Sequence, residues 1–437
     1  MKIYRSGYRV ALLSLGMLLT IGLLTANADD KVKTVEVDCS KGKTLAHALE
    51  KGNEDKPLVV VVRGICSENV VIDRDDVTLR GHEGGGGVTG PDPSMDTILI
   101  DGARRVVIEN LTVSGGRNGV TFSQGSSGTV DNCTVQNTGG HGIRIEGGSA
   151  TVINSTISHN FAAGIMLEGG GSGRIGITNS NQYAGNTIST NGGDGIHLQY
   201  GATASIGGNT ISGNGTDPST LIDRSGIALY HATVVVVGSN LITGNQGAGI
   251  VARSSSLRIG DVSFSLPTAN TISGNGVATS EGGVFGFLGT TLDIRNAAIS
   301  GNTGEGVTAV GSSLRIRDSM VSGNAGQGVL AFLGTTFDIR NTTVSGNTGR
   351  PGVPGVGVLL TTRSVGRMRA NIIENNMSDG IRLVFGSGLF LESPAVSVNG
   401  NGGSGLQCTD AESSIIGNTS GFSGTPGGDV SAACTGF

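Results

Sequence analysis

The sequence predicts an all-β solenoid of about twelve or more coils, and three observations support this prediction. A short phrase repeats: an apolar residue, two small or polar residues, an asparagine, then a glycine before an aliphatic residue, as in Ile299 to Asn302 followed by Gly306-Val307. The chain has 77 glycines among 437 residues and no tryptophan, and glycine tolerates the positive φ of tight turns. The repeat region has no sustained helical period. Short strands and turns around a narrow aliphatic core satisfy all three observations.

The repeat aligns on the apolar residue that precedes each turn, with a basic step of 22 or 23 residues and longer steps where loops are inserted. The aligned residues are Val113, Val135, Ile157, Ile188, Ile211, Ile242, Ile272, Ile299, Val321, Val344, Ile373 and Val398. Asparagine stands three positions later in ten of the twelve coils, as Asn160, Asn191, Asn214, Asn245, Asn275, Asn302, Asn324, Asn347, Asn376 and Asn401. Stacked asparagine side chains can hydrogen-bond between coils, so we expect an asparagine ladder along this turn.

Residues 1–28 are predicted to be a signal peptide. They combine a basic start from Lys2 to Arg9, an apolar core from Ala11 to Leu24 and a small-x-small cleavage site at Ala26 to Ala28. The alternative is an uncleaved anchor, but the apolar run is short for a membrane span. Cleavage would remove three positive charges and no acids, which lowers the formal net charge from −5 to −8. We therefore expect a secreted, periplasmic or cell-surface protein with no membrane span after cleavage, and one that does not bind nucleic acid.

The two ends of the solenoid are expected to be closed. Residues 29–57 are predicted as an N-terminal cap, in which an amphipathic helix over Thr44 to Gly52 covers the open sheet edge. Residues 58–437 are predicted as the solenoid itself, with a disulfide-closed C-terminal end.

The five cysteines suggest two terminal disulfides and one free thiol. Pairs near each end predict Cys39–Cys66 and Cys408–Cys434 in an oxidising compartment. Each would close a loop of about 26 residues, which stabilises the fold by roughly 3 kcal/mol on the loop-entropy model. Cys133 lies two residues before Val135, so it is expected to face the same side of a strand as a buried, inert thiol.

The repeat resembles a known superfamily. Asn-x-x-Ile-x-x-Asn, as in Asn154 to Asn160, the Gly-Ile pairs, the capping helix and the coil length are similar to the right-handed parallel β-helix superfamily with the pectate-lyase-like fold. The resemblance covers nearly all of residues 39–420. It implies a right-handed parallel β-helix but not an activity, because members include polysaccharide lyases, hydrolases, epimerases and non-catalytic surface proteins.

A polar strip is predicted on the outer face of the strands that follow the Gly-aliphatic pairs. It gathers Arg144, Glu146, Glu168, Asp194, His197, Gln199, Tyr230 and Arg253 from neighbouring coils about 4.8 Å apart. Glu168, Asp194 and His197 are the candidate catalytic groups, because a carboxylate or histidine can act as a general base. The expected substrate-binding residues are Arg144, Glu146, Gln199, Tyr230 and Arg253. The alternative is an ordinary solvated face with weak surface ion pairs.

Motifs of the enzymes in this superfamily are mostly missing. Gly140-His141-Gly142 is similar to the Gly-His-Gly of polygalacturonases, but the carboxylate motifs expected upstream of it are absent. Since His141 also occupies a variable position before a Gly-Ile pair, we interpret the match as coincidence. No cofactor and no metal site are predicted; no motif supports calcium.

An apolar patch is predicted C-terminal to the strip, on the same face. It comprises Phe285, Phe287, Val310, Leu330, Phe332 and Leu359. Three explanations compete: self-association or another partner, through Phe285, Phe287 and Phe332 above all; cover by inserted loops; or a register shift that turns these residues inward.

Two further features of the repeat concern its other faces. Arg258, Asp293, Arg315 and Asp338 alternate in sign at equivalent positions, beside Arg295, Arg317 and Arg340, and we interpret them as register control. Long insertions follow three of the turns, at Gly215–Ser225, Gly276–Gly282 and Thr348–Val356, and could wall a groove.

Two functions from different classes are consistent with the sequence. The first is an exported protein that binds a polysaccharide or cell-surface glycan along the strip, with processing of that polymer left open; as an enzyme it would be a polysaccharide lyase, epimerase or glycoside hydrolase. The second is a non-catalytic cell-surface, structural or adhesion-type protein that acts through the apolar patch.

Overall fold

Each repeat of the sequence forms one coil of a parallel β-helix. The computed structural model describes residues 32–50, 56–217, 224–260, 269–279, 281–431 and 434. The predicted signal peptide lies outside these residues. Every coil contributes strands to three faces, which we name sheets one, two and three, and in each the strands pair in parallel with those of the neighbouring coils. The predicted all-β solenoid is confirmed.

Sheet one contains the strands that follow the Gly-aliphatic pairs. Its fourteen strands are Val70–Ile72, Ile98–Asp101, Val120–Ser123, Ile143–Glu146, Ile165–Glu168, Ile196–Gln199, Ile227–Tyr230, Ile250–Arg253, Val284–Phe287, Val307–Val310, Val329–Phe332, Val358–Leu360, Ile381–Leu383 and Leu406–Cys408.

Sheets two and three form the other faces and together count 29 strands. The strands of sheet two are Lys33–Asp38, Leu58–Ser67, Val77–Gly90, Val106–Glu109, Ser127–Asp131, Ser149–Ile153, Ser172–Ile175, Thr203–Ile206, Thr233–Val236, Ser256–Ile259, Thr291–Arg295, Ser313–Arg317, Thr336–Arg340, Val365–Arg369, Gly388–Glu392 and Ser414–Gly417. Those of sheet three are Thr112–Gly115, Thr134–Gln136, Thr156–Ser158, Thr187–Ser189, Thr210–Ser212, Leu241–Thr243, Asn270–Ser273, Ala297–Ser300, Met320–Ser322, Thr343–Ser345, Ile372–Glu374, Ser397–Asn399 and Phe422–Ser423. Leu58–Ser67 and Val77–Gly90 are long enough to join the two sheets at the N-terminal end.

The N-terminal end is capped by the predicted helix and by a strand that sequence analysis did not predict. The helix spans Leu45–Glu50 and buries Leu45, Ala48 and Leu49, as its i, i+3, i+4 spacing predicts. The carboxylate of Glu68 accepts hydrogen bonds from the backbone N–H groups of Leu45 (2.7 Å) and Ala46 (3.2 Å), which satisfies two donors at the helix start. The unpredicted strand, Lys33–Asp38, pairs with Leu58–Ser67. A 3₁₀ turn at Cys39–Lys41 separates strand and helix. No helix in the described part of the chain combines the length and hydropathy that a membrane span needs.

Cysteine pairing follows the prediction. Cys39 is bonded to Cys66, and Cys408 to Cys434. Cys133 is a free, buried cysteine. Burial raises the pKa of its thiol to about 12, so the thiol stays protonated and unreactive at neutral pH.

The predicted asparagine ladder is present and buried. In each of the ten asparagines except the last, Nδ2 donates to Oδ1 of the next asparagine along the ladder; the distance is 2.9 Å from Asn160 to Asn191 and 2.8 Å from Asn245 to Asn275. The backbone N–H of each of these nine asparagines donates to the same Oδ1. Each Nδ2 from Asn160 onward also donates to a backbone carbonyl of the preceding coil, as in the bond from Asn302 to Ile272. The ladder therefore satisfies the buried backbone groups of the turn and sets the register between coils.

A second ladder, which was not predicted, stands at the entrance to sheet three. Asn186, Asn209, Asn240 and Asn270 are buried, and each of the first three donates from Nδ2 to Oδ1 of the next at 2.9–3.1 Å. Cys133 lies two coils before Asn186 at the equivalent position, where its backbone N–H donates to Ser155 Oγ. The free cysteine is therefore a member of a structural column.

Replacing an asparagine in the middle of the first ladder by alanine should lower stability far more than replacing a neighbouring polar residue by alanine. In Asn302→Ala, the carbonyl of Ile272, the N–H of Asn275 and the Oδ1 of Asn324 lose buried partners. We expect a loss of about 3 kcal/mol, measured as a fall in the midpoint of thermal unfolding. Ser300→Ala, two residues earlier on the same turn, is the control. Equal shifts for the two variants would show that the ladder is not a stability determinant.

Candidate functional site

The predicted polar strip lies on the outer face of sheet one, with its residues in register. Arg144 pairs with Met166, and Met166 pairs with His197, along one outward column. A second column contains Glu146, Glu168, Gln199, Tyr230, Arg253 and Phe287 in successive strands. The tertiary structure therefore brings all eight predicted residues to one face or to the turn beside it.

A network of four side chains forms the N-terminal half of the strip. Arg144 donates from Nε to Glu168 Oε1 (2.8 Å) and contacts Glu146 with Nη1 (2.9 Å). Gln199 Nε2 donates to the other oxygen of Glu168 at 2.9 Å. Burial alone would raise the pKa of Glu168, but the hydrogen bonds from Gln199 and Arg144 outweigh it and hold the pKa below its ordinary value. Glu168 is thus an ionised acceptor at neutral pH, unsuited to act as a proton donor.

His197 and Asp194 form a buried pair beside this network. Asp194 Oδ2 accepts a hydrogen bond from His197 Nδ1 at 2.8 Å, and Asp194 Oδ1 accepts one from the backbone N–H of Ser225 at 2.6 Å. The Asp194 side chain is fully buried and the His197 side chain is 10% exposed. The imidazole lies 5.2 Å from the ring of Tyr230, centroid to centroid, with the rings tilted by 38°. A carboxylate on Nδ1 fixes the orientation of the ring, which is the arrangement that positions a histidine for proton transfer at Nε2.

The turn before sheet one brings Asp194 under His197. Asp194 occupies the position before the Gly-aliphatic pair, and Gly195 follows it in a site where a Cβ would lie 2.6 Å from the carbonyl oxygen of Gly226. Glycine is therefore required there by the close approach of the neighbouring coil.

His141 also lies at this site, although its sequence motif was interpreted as a coincidence. It occupies the same position before a Gly-Ile pair as Asp194, two coils earlier. Its Nδ1 accepts a hydrogen bond from the backbone N–H of Ala163 (3.2 Å). Burial lowers the pKa of His141 to about 4, with a further contribution from the nearby His197, so the ring is neutral at neutral pH. His141 lies two residues before the strand Ile143–Glu146, which carries Arg144 and Glu146 of the strip.

The polar cluster continues toward the N-terminus through residues that the sequence pattern did not single out. Asp96 is buried and accepts hydrogen bonds from Arg117 Nε (3.0 Å) and Asn118 Nδ2 (2.9 Å). Asn118 Oδ1 in turn accepts the backbone N–H of His141 at 2.9 Å. Burial raises the pKa of Asp96, but the hydrogen bond and charge of Arg117 prevail and lower it overall. Their only sequence signal is that Asp96 and Asn118 lie just before strands of sheet one.

The apolar patch is continuous with the strip. Phe285 and Phe287 stack with centroids 5.0 Å apart, and the guanidinium carbon of Arg253 lies 5.9 Å from the centroid of Phe287. Tyr230 and the two phenylalanines pack on a small cluster of Ala228, Ala248 and Val251. These outward side chains are half-buried. A register shift is therefore the wrong explanation of the apolar patch. The position between the two phenylalanines, Gly286, faces the core, where a Cβ would lie 2.6 Å from the side chain of Leu292.

Of the three predicted insertions, the structure describes one in full; it lies between sheets three and one, in the coils that carry the apolar patch. The insertion Thr348–Val356 forms a hairpin of Gly349–Arg350 and Val353–Pro354. Arg350 reaches back to the carbonyl of Thr303 (3.2 Å) and to Glu305 (3.4 Å). The other two insertions include residues outside the described part of the chain, at 218–223 and 280.

One group of potential metal ligands occurs among the described residues, and it does not fit a metal. Cys39, Cys66 and Glu68 lie close together at the cap. Both sulfurs are in a disulfide, and Glu68 binds the start of the helix.

Known structures of β-helix proteins show low similarity to this chain. Pectate lyase Pel9A is 12% identical over 61% of this chain and 79% of its own, with a TM-score of 0.37. The A-module of the Azotobacter vinelandii mannuronan C-5 epimerase AlgE4 is 15% identical over 89% and 93%, with a TM-score of 0.40. The periplasmic alginate epimerase AlgG is 14% identical over 91% and 84%, with a TM-score of 0.37. A comparison with curated protein sequences finds no match.

The family described as "Right handed beta helix region" matches the repeat itself. Its pattern fits overlapping stretches of the chain at residues 63–181, 96–263, 142–313, 219–366 and 266–420. These stretches cover most of the chain and coincide with the coils of the structure. The chain therefore belongs to the right-handed parallel β-helix family.

Proposed function

We propose that this protein is exported and binds a polysaccharide along the outer face of sheet one, over the strip from Arg144 to Arg253. The supporting observation is the His197–Asp194 pair beside Tyr230. An oriented imidazole and an aromatic ring lie together here, although the stacking of coils does not require either side chain. An ordinary solvated face would instead carry mobile, exposed ion pairs.

The chemistry of the strip suits a sugar polymer. The carboxylate of Glu146 and the amide of Gln199 can hydrogen-bond to sugar hydroxyls. The ring of Tyr230 can pack against sugar C–H groups. Arg253 is exposed at the C-terminal end of the strip and can meet a carboxylate. Arg144 is less available, because Glu146 and Glu168 already engage its guanidinium.

Export is supported by the predicted signal peptide together with the two disulfides, since such bonds persist in oxidising compartments. The proposed location is outside the cytoplasm: secreted, periplasmic or on the cell surface.

If the bound polymer is also processed, His197 is the group we assign as general base and Asp194 as the residue that positions it. Glu168 is held by Arg144 and Gln199, so its proposed role is to fix the strip and not to transfer a proton.

Removal of the Tyr230 ring should weaken binding without affecting the fold. We expect Tyr230→Ala to lose about tenfold in affinity for an acidic polysaccharide found in a binding screen, because the stacking surface is gone. Tyr200→Ala is the matched control, since Tyr200 is 66% exposed outside the strip. Calorimetry on both variants measures the difference. An equal loss in both, or no binding by the unaltered protein to any acidic polysaccharide, would contradict the proposed site.

Turnover is tested separately from binding. Acidic polysaccharides that bind are incubated with the protein while the absorbance of unsaturated products and the release of reducing ends are followed. If turnover occurs, His197→Gln should lower kcat by 10²–10⁴-fold, about the contribution of a general base, with affinity retained. Binding without turnover would remove the enzyme function, and full activity in His197→Gln would remove His197 from it.

Self-association through Phe285, Phe287 and Phe332 stays a separate prediction for the alternative, non-catalytic function. The stacking of Phe287 on Phe285 and the approach of Arg253 already bury part of this surface within the chain. Light scattering of the protein and of Phe287→Ser measures the mass. An oligomer that Phe287→Ser dissociates would support this function, whereas monomers in both cases would contradict it.

A further inference from the structure

The outer face of sheet two carries a concentration of arginines that do not form a continuous run in the sequence. We name it the arginine face; its members are Arg258, Arg295, Arg315, Arg317, Arg340, Arg367 and Arg369. They come from five consecutive strands, between Ser256–Ile259 and Val365–Arg369. In the column that contains only arginines, consecutive members are 22 to 29 residues apart in the chain.

Four of these arginines form a single column. Arg295 pairs with Arg317, Arg317 with Arg340 and Arg340 with Arg369, each in register across parallel strands. Neighbouring strands are about 4.8 Å apart, so four like charges are stacked along about 14 Å. Like charges directly opposite each other destabilise a sheet. Stacking of the coils alone therefore does not favour this column.

Acidic neighbours compensate only part of the charge. Asp293 binds Arg295 (2.9 Å) and lies 4.0 Å from Arg258. Asp338 binds Arg340 (2.7 Å) and lies 3.5 Å from Arg317.

A third acid, Glu392, lies 3.7 Å from Arg367. Arg315 and Arg369 are exposed and make no ion pair within the described residues, although Arg315 stands in register between Asp293 and Asp338, and Arg369 stands opposite Glu392. Seven arginines against three acids leave an excess of four positive charges, on a chain whose formal net charge is −5. This face is thus electrostatically opposite to the molecule as a whole.

We propose that the arginine face binds a linear anionic polysaccharide that runs parallel to the solenoid axis. The coil spacing presents guanidinium groups at regular intervals, which suits a polymer with a carboxylate or sulfate on successive units. The adjoining outward column of Thr291, Ser313 and Thr336 is exposed and supplies hydroxyls for sugar groups. The site lies on a different sheet from the strip and does not depend on it.

A sugar polymer suits this face better than a nucleic acid. Single-stranded nucleic acid binding combines basic grooves with aromatic side chains on which bases stack. No aromatic side chain stands among the outward positions of the strands from Thr291–Arg295 to Val365–Arg369. The first aromatic residue on this face is Phe390, one strand beyond the arginine column.

The test measures binding of polygalacturonate to the full chain by calorimetry at two salt concentrations. Arg315→Gln/Arg369→Gln removes the two exposed arginines of this face that form no ion pair among the described residues, so folding should be retained. We expect about a tenfold loss in affinity for this double variant, and weaker binding of the unaltered protein at higher salt. Lys43→Gln/Arg104→Gln is the matched control, because it removes the same charge from exposed positions near the N-terminal end.

Each outcome decides the proposal. Support requires loss in the arginine-face variant, an unchanged control, and no binding of fully methyl-esterified polygalacturonate, which keeps the backbone but lacks the charge. Equal loss in both variants, equal binding of the ester, or tighter binding of single-stranded DNA through the same arginines would overturn it. Tyr230→Ala in the same assay reports on the strip, so either site can fail alone.

Discussion

Everything in this molecule depends on the stacking of coils in one register, and the buried asparagine amides are the interaction that holds it. An amide is suited to this position because it donates and accepts at once, so each side chain can satisfy the coils on both sides. Asn302 illustrates the arrangement: it donates to Asn324 and to the carbonyl of Ile272, and it accepts from Asn275. A slip of one residue would leave these groups buried without partners, which is far more costly than the slight gain of any surface contact.

Because the register is fixed, equivalent positions of successive coils form columns, and these columns determine which side chains are neighbours on the surface. Residues about one coil apart in the chain become neighbours about 4.8 Å apart, so Tyr230, Arg253 and Phe287 form one continuous line. The polar strip and the apolar patch are therefore two ends of a single surface. An elongated ligand that occupies one end will meet the other, which suits a polymer better than a small molecule.

Partial burial gives the charged groups on these faces distinct roles. The pKa of Glu168 stays low because its hydrogen bonds outweigh its desolvation, whereas burial lowers the pKa of His141 and keeps its ring neutral. On sheet two, Asp293 and Asp338 each lie between arginines of adjoining columns and lessen their repulsion. The same coil geometry thus produces a neutralised network on one face and an excess of positive charge, compensated only in part, on another.

The sequence by itself determined the coil, its inward residues, the first asparagine ladder, the capping helix and both disulfides, because each is written in a repeat period or a local pattern. It also identified eight residues of the strip, since alternation along a strand tells which side chains point outward. The tertiary structure alone decided which outward groups touch. The positions of Asp96 and His141 depend on turns between coils, the ladder that starts at Asn186 depends on a corner, and the arginine face depends on lateral pairing of distant strands. Such contacts depend on the directions of side chains at the turns and on which strands pair, and the sequence pattern by itself specifies neither.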